Sequence, residues 1–283
     1  MKSFDIIMVG PVSNDIIVVG DHEERFLGGG VWMAAYPTLT MGLRVGVATR
    51  LARADFGALD EMEEAGAEVF RVEAFESTSI RNVYSDSSME RRVCTVEGSS
   101  AAMLPEDLPE VDAAVWYAGG LMRGDVPMET VRHLHGRGTL CVDLQGYLRY
   151  RQGDELLTGP YDGLEEVVSL TTYLKADLAE AEIATGTADP AAASKILAGW
   201  GASEVLISGH NKVHVRVDGQ LITETLDPRS MAGRTGRGDT CTATYVGGRL
   251  QGLEPGEALK LCAAVTSRKM EVPGPYRGPV PPR

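Results

Sequence analysis

Gly236, Arg237, Gly238 and Asp239 stand in a row just before a run in which Ala243, Val246, Leu250 and Leu253 recur at helical spacing, with Gly252 marking the stop. Glycines at a helix entry leave free amides pointing outward where the partial positive charge is greatest, and they let an anion come close to the backbone. The arrangement follows the principle of a phosphate cradle without being a Walker A loop, because no Gly-Lys-Ser/Thr follows. A carboxylate on the first turn beside such a cradle can accept the proton of an attacking hydroxyl as a phosphoryl group arrives. The competing reading is that Asp239 caps the helix and the glycines only permit a turn, since Asp is a preferred cap. Spacing alone leaves both open.

The elements that must position this turn alternate along the chain. "FDIIMVG", "DAAVWYAGG", "TLCVDLQG", "EVVSLTTY" and "SEVLISG" read as buried strands ending in Gly or polar residues. Helical patterns lie between them, most plainly "DPAAASKILAGWG", where Asp189 caps, Pro190 takes the first position, and Ala193, Ile196, Leu197 and Trp200 share a face. Phe56, Leu59 and Met62 repeat in the same way before Gly66, as do Met128, Val131 and Leu134 before Gly136. This alternation predicts an α/β fold with a doubly wound, mostly parallel sheet flanked by helices.

Two regions break the alternation. Asp15–Phe26 and Thr78–Val96 have strand-like stretches with no helix between strands, and they are expected to pair as a small antiparallel sheet projecting from the body. Asp218-Gly219 suits a two-residue hairpin turn. Pro37 falls inside the expected helix "VWMAAYPTLTMG", so that helix is kinked, short or not a helix at all. The tail "VPGPYRGPVPPR" cannot continue a helix and is expected to run over the surface.

The chain has 283 residues, 43% of them hydrophobic, and a formal net charge of −13, which makes nucleic acid or an anionic membrane an unsuitable main partner. A small anion is still compatible, because helix ends and local arginines can reverse the field in one cleft. The four cysteines, Cys94, Cys141, Cys241 and Cys262, show no CxxC pairing, so reduced thiols and a cytoplasmic location are expected. The N-terminal apolar run reads as a strand and not a signal sequence, and no run approaches the ~20 residues of a membrane span.

With the motifs taken in order, "RTGRGDTCTATYVGGRLQG" resembles the C-terminal signature of the ribokinase-like, or PfkB, carbohydrate kinases, usually written around Asp-Thr-x-Gly-Ala-Gly-Asp. "MVGPVSNDII" resembles that family's first strand with its substrate-contacting Asp, here Asp15, and "LGGGVWMAAYPTLTMG" its Gly-Gly segment, here Gly29 and Gly30. "YLKADLAEAEIATG" resembles the Asn-x-x-Glu segment linked to magnesium, with Asp177 in place of Asn and Glu180 as the acid. "LISGHNKVHV" resembles the strand beside the nucleotide, which carries over to Ser208 and Gly209.

The resemblance spans nearly the whole chain. It implies one ribokinase-like domain over 1–283, with a β lid from segments about 15–26 and 78–96 that offers an edge for a homodimer. It also implies an ATP- and Mg²⁺-dependent kinase acting on a small polyol or sugar. Asp239 would be the base, with Gly236, Arg237 and Gly238 as the anion hole. Arg234 would lie near the donor phosphates, with solvent exposure as its alternative. For Asp177 and Glu180 the alternative to magnesium held through water is a solvated acidic helix face. For Asp15 it is a turn-forming role.

Two departures refine the expectation. Gly233 stands at the family's leading Asp, which removes a likely ligand of a monovalent-cation site, so little K⁺ activation is expected. Met33 stands where ribokinase-type members have an Asn, which weakens pentose recognition. "VDLQGYLR" looks like a segment of short archaeal and plant members that include myo-inositol kinases, and Gln145 could reach a polyol or merely form a loop. A cyclitol such as myo-inositol therefore ranks first, with a sugar or nucleoside next. A sugar- or nucleotide-binding regulator that has lost turnover is the non-enzymatic alternative. A dinucleotide enzyme using Gly28–Gly30 lacks the GxGxxG spacing.

Overall fold

The first strand, β1 (Ser3–Val9), is followed by two strands with no helix between them, β2 (Ser13–Val19) and β3 (His22–Gly28). β3 passes through Gly29 directly into α1 (Gly30–Thr40), and this helix continues through Pro37 instead of stopping there. Then come β4 (Val45–Ala52), α2 (Asp60–Glu64), β5 (Glu68–Ala74), β6 (Ser79–Tyr84) and β7 (Arg92–Gly98). The middle of the chain forms β8 (Asp112–Ala118), α3 (Met128–Arg137), β9 (Thr139–Asp143), α4 (Gln145–Leu148), β10 (Arg149–Gln152) and β11 (Glu155–Thr158). It continues with α5 (Leu164–Ser169), β12 (Tyr173–Asp177), α6 (Leu178–Thr185) and α7 (Pro190–Gly199). The last part holds β13 (Glu204–Ser208), β14 (Lys212–Val217), β15 (Gln220–Thr225), α8 (Arg237–Leu250) and α9 (Pro255–Met270). The structure, a computed structural model, describes residues 2–84 and 92–281, so 85–91 of the expected second lid segment lie outside the described residues.

Nine strands form the main sheet in the order β15-β14-β13-β12-β9-β8-β1-β4-β5. Every neighbouring pair from β13 to β5 is parallel, and the β14–β15 hairpin closes one edge antiparallel. That hairpin turns at Asp218 (φ 49) and Gly219 (φ 75), the left-handed pair that a two-residue turn requires.

Both faces of the sheet are buried, and strand alternation sorts the residues between them. Ile6 and Met8 pack with Trp32, Val246 and Leu259 from α1, α8 and α9. Ile7 and Val9 pack with Val131, Val167 and Leu197 from α3, α5 and α7. Each such fully buried side chain contributes about 1.5–3 kcal/mol by leaving water. The architecture is the expected doubly wound α/β sheet between two helical layers.

The second sheet has six strands in the order β10-β11-β7-β6-β2-β3. It contains both expected segments but is not purely antiparallel. β2 and β6 run parallel, because the chain crosses the main sheet between them and returns in the same direction. The β10–β11 hairpin, absent from the sequence expectation, extends the sheet through a single pairing of Glu155 with Thr95.

Three local readings are corrected. Glu166–Tyr173 is not a strand: Leu164, Val167 and Val168 are buried at helical spacing in α5, and the strand begins only at Tyr173. The β-branched pair suggested a strand, but packing of one helical face overrides that preference. Ile196 of α7 is 37% exposed and lies off the buried face that Ala193 and Leu197 share. The tail does run outside the helices, yet it is pinned: Tyr276 is buried, and Arg277 lies 4.2 Å over the Tyr36 ring and pairs with Glu61.

Candidate active site

The parallel strands end on one side of the sheet, and the winding reverses between β1 and β8, where an α/β sheet opens its ligand crevice. Two helices begin above that point. α1 starts at Gly30 after Gly29 (φ 101), and α8 starts at Arg237 after Gly236 (φ 82). Their N-terminal partial positive charges converge. Gly236 needs its left-handed backbone, and a side chain there would also strike Met33, whose sulfur lies 2.8 Å from the position a Cβ would take. Met33 is thus buried packing beneath the turn, which explains an apolar residue where a hydroxyl-binding one was considered.

Asp239 occupies the third position of α8, part-buried, with its side chain aimed at the start of α1. A Cβ on Gly30 would lie 3.1 Å from Asp239 Oδ1 and 3.4 Å from the Gly119 carbonyl oxygen. The carboxylate makes no capping bond to the helix and contacts its own backbone amide. Burial pushes its carboxyl above the usual range, opposed chiefly by Lys175. Of the three amides expected at the anion hole, that of Arg237 donates to the Arg234 carbonyl at 3.3 Å and closes the turn. Arg234 itself is exposed, and Arg237 and Gly238 are part-buried.

Below the turn lies a charge cluster that the sequence reading did not single out. Lys175, 5% exposed, donates to Asp143 Oδ1 at 3.2 Å and to Glu180 Oε2 at 3.3 Å. Its ammonium is 2.9 Å from the position of a Cβ on Gly238, so it sits directly beneath the turn that opens α8. Burial alone would strip the proton from Lys175, but the carboxylates of Asp143 and Glu180 outweigh it and hold the ammonium charged. Burial in turn raises Glu180 to about 7, against the pull of Lys175. Tyr117 is buried beside the cluster, its hydroxyl without a hydrogen-bond partner among the described residues. These residues did leave a trace in the sequence: Asp143 ends the run "TLCVD" and Lys175 sits in the middle of "YLKAD".

Asp177 and Glu180 form a reciprocal capping box on α6. Glu180 N donates to Asp177 Oδ1 at 2.8 Å and Asp177 N to Glu180 Oε2 at 2.7 Å. They are therefore no solvated acidic face; Glu180 is buried and shares Lys175. Among the described residues no group of three or more His, Cys, Asp or Glu is placed to hold a metal directly. The hard oxygens of Asp177 and Glu180 suit magnesium that keeps its water.

Asp15 lies in β2 of the second sheet, opposite Phe26 of β3. Its Oδ1 accepts from Ile80 N at 3.2 Å, and its other oxygen lies where a Cβ on Gly28 would be, two residues from Gly30. Gln145 opens α4, its amide donating to Asp143 Oδ1 at 3.0 Å. Ser208 ends β13 beside Asp177, with its buried hydroxyl unpaired among the described residues, and Gly209 N donates to Lys212 O at 2.8 Å. An open cleft of about 950 Å³ lies outside this row, lined by Glu224, Asp227, Lys260, Ser267, Val272 and Tyr276, and Val272 backs onto Gly233. The structure thus sets Gly30 against Asp239, Gly238 against Lys175 with its partner Glu180, and Asp15 against Gly28 in the second sheet, and leaves Arg234 exposed.

No protein-family model matches the chain. It is 32% identical, at a TM-score of 0.90, to a sulfate complex of a pyrophosphate-dependent kinase in the ribokinase family, with 95% of this chain and 96% of that one covered. It is 30% identical, at the same TM-score and coverage, to a pyrophosphate-dependent kinase of that family complexed with a pyrophosphate analog and myo-inositol. Ribokinase of Arabidopsis thaliana complexed with ribose and ATP is 16% identical at a TM-score of 0.75, with 96% of this chain and 94% of that one covered, a likeness of fold. A cytidine kinase of Thermococcus kodakarensis is 24% identical over 273 residues, 91% of each chain. The chain belongs to the ribokinase (PfkB) family of kinases and is a phosphotransferase acting on a hydroxyl group.

Proposed function

We propose that this kinase transfers a phosphoryl group from pyrophosphate to a hydroxyl of a cyclitol, with a myo-inositol-like polyol as the first candidate. The observation that carries the reading is the approach of Asp239 to Gly30 between two helix N-termini, with Lys175 under the turn. The acceptor lies over Gly29 and Gly30, where the backbone permits close approach, and Asp15 and Gln145 bond its remaining hydroxyls. Asp239 takes the proton of the attacking hydroxyl as its oxygen bonds to phosphorus and the bridging P–O bond of the donor breaks. The amides of Gly236 and Gly238, with the Lys175 ammonium, hold the negative charge of the moving group; one such preorganised donor is worth about 3 kcal/mol. Asp177 and Glu180 would hold Mg²⁺ through its water, and the ion would neutralise donor charge. The second sheet covers the acceptor and excludes water that would compete as nucleophile.

Pyrophosphate is favoured by the two similar kinases named above and by Arg234 and Arg237, cations at a turn that must meet a small, dense anion. ATP is the second reading, supported by the cleft of about 950 Å³ alongside Gly233, which has room for a nucleoside. Phosphorylated product should be followed by phosphorus NMR with pyrophosphate or ATP against myo-inositol, other cyclitols, ribose and cytidine. Turnover of myo-inositol with pyrophosphate is expected. Turnover of only a sugar or nucleoside overturns the acceptor, and turnover with ATP alone overturns the donor.

A further inference from the structure

Lys269, near the end of α9, is fully buried, yet its ammonium is held by main-chain carbonyls: it donates to Gly233 O at 2.9 Å and to Val272 O at 3.1 Å. Buried lysines ordinarily pair with a carboxylate, so a seat made of carbonyl oxygens is unusual. The two carbonyls belong to separate segments. Val272 follows α9, and Gly233 begins the stretch that becomes the anion turn at 236–238. Gly233 N also donates to Met270 O at 2.8 Å, so this strip of chain is stitched to the end of α9 from both sides.

We infer that Lys269 is a positioning residue that acts as a tethered internal cation, seating the 233–238 segment and offsetting the negative end of α9 where a polyphosphate must bind. A helix C-terminus carries a partial negative charge. Placed beside the entry of α8, that charge would repel the donor, and an ammonium among the carbonyls cancels it. The same ammonium is near enough to Asp239 to feel its charge, although burial dominates and pushes Lys269 down to about 8. Rings of carbonyl oxygens also bind bare monovalent cations. A truncated side chain should therefore leave a seat that a free cation of suitable size can take.

The inference rests on phosphoryl transfer at Asp239, and the experiment separates the two. In Lys269→Ala, K⁺ or NH₄⁺, but not tetramethylammonium, should raise the melting temperature by several degrees, with no such selectivity in the wild type. This arm needs no substrate. In assays with pyrophosphate and myo-inositol, Lys269→Ala should lose at least tenfold in kcat and raise the KM for pyrophosphate with little change for myo-inositol. K⁺ or NH₄⁺ should restore at least fivefold. Lys269→Met fills the seat without charge; it should fold, lose the same activity and answer to no cation. Absence of cation-selective stabilisation in Lys269→Ala, or an unchanged pyrophosphate KM in Lys269→Met, overturns the inference. A wild type inactive with both substrates overturns the proposed function, and the melting arm alone then decides the cation seat.

Discussion

Asp239 and Gly30 face one another across the gap between the first turns of α8 and α1, so close that a methyl group on Gly30 would stand 3.1 Å from the carboxylate. Gly30→Ala should therefore fold, because α1 already carries helical geometry there, but it should displace either the carboxylate or the acceptor. The contact asks the carboxylate to give by a few tenths of an ångström; since about 1 Å at a reacting centre costs on the order of 10²-fold, the loss here is on the order of tenfold. A kcat/KM drop of about that size, with a melting temperature close to wild type, is expected in steady-state kinetics and thermal unfolding.

Asp239→Asn should retain the fold and lose about 10²- to 10⁴-fold in kcat, the range of a general base. Because burial raises the Asp239 carboxyl above the usual range, the wild-type rate should climb with pH as the carboxylate forms. The residual rate of the variant should lack that limb. A near-wild-type kcat in the variant would remove Asp239 from proton transfer.

Lys175→Met leaves Asp143 and Glu180 buried without their shared cation. Removing one partner of a buried ion pair typically costs about 3–5 kcal/mol. Urea unfolding should give a loss in that range, and adding Asp143→Asn should return part of it by removing an unpaired charge. An additive double variant would mean that the cluster is not coupled.

Asp125 is buried, and its Oδ2 accepts from Leu121 N at 2.7 Å and Met122 N at 3.0 Å. Burial raises its carboxyl from 3.8 to about 6, so the ionised form costs on the order of 3 kcal/mol in the folded state. The folded protein holds this proton more tightly than the unfolded one. The stabilisation is complete below pH 4 and is lost as pH rises through 6. Asp125→Asn keeps an oxygen for both amides and removes the charge, so it should be about 1–3 kcal/mol more stable than wild type at pH 8 and no more stable at pH 4. Chemical denaturation at the two pH values reads both signs.

Much of the architecture was legible because it rests on local rules. Four of the five apolar strand runs, the Asp189 cap with Pro190 and the Asp218-Gly219 turn each fix their own geometry and stand in the structure, while Glu166–Tyr173 does not. The turn at Gly236 and the helix entry after it were legible for the same reason. The Lys175 cluster was not, because a lysine in a strand gains meaning only when Asp143 of the neighbouring strand and Glu180 of the following helix converge on it. Lys269 lies on the buried face of α9 with Cys262 and Val265, a charge on an apolar stripe, but its partners are carbonyls, which no residue type announces. The second sheet was legible in part: its two segments were found, but the parallel β2–β6 pairing and the β10–β11 hairpin depend on how the chain returns through space.

Gly28 ends β3 and Gly30 begins α1, so a single residue separates the second sheet from the helix start that faces Asp239. With no slack between them, a shift of β3 is delivered to α1 as a tug on the same backbone. Any substitution that moves β2 or β3 will therefore also retune the spacing at Asp239, and it should be paired with compensating changes in the first turn of α1.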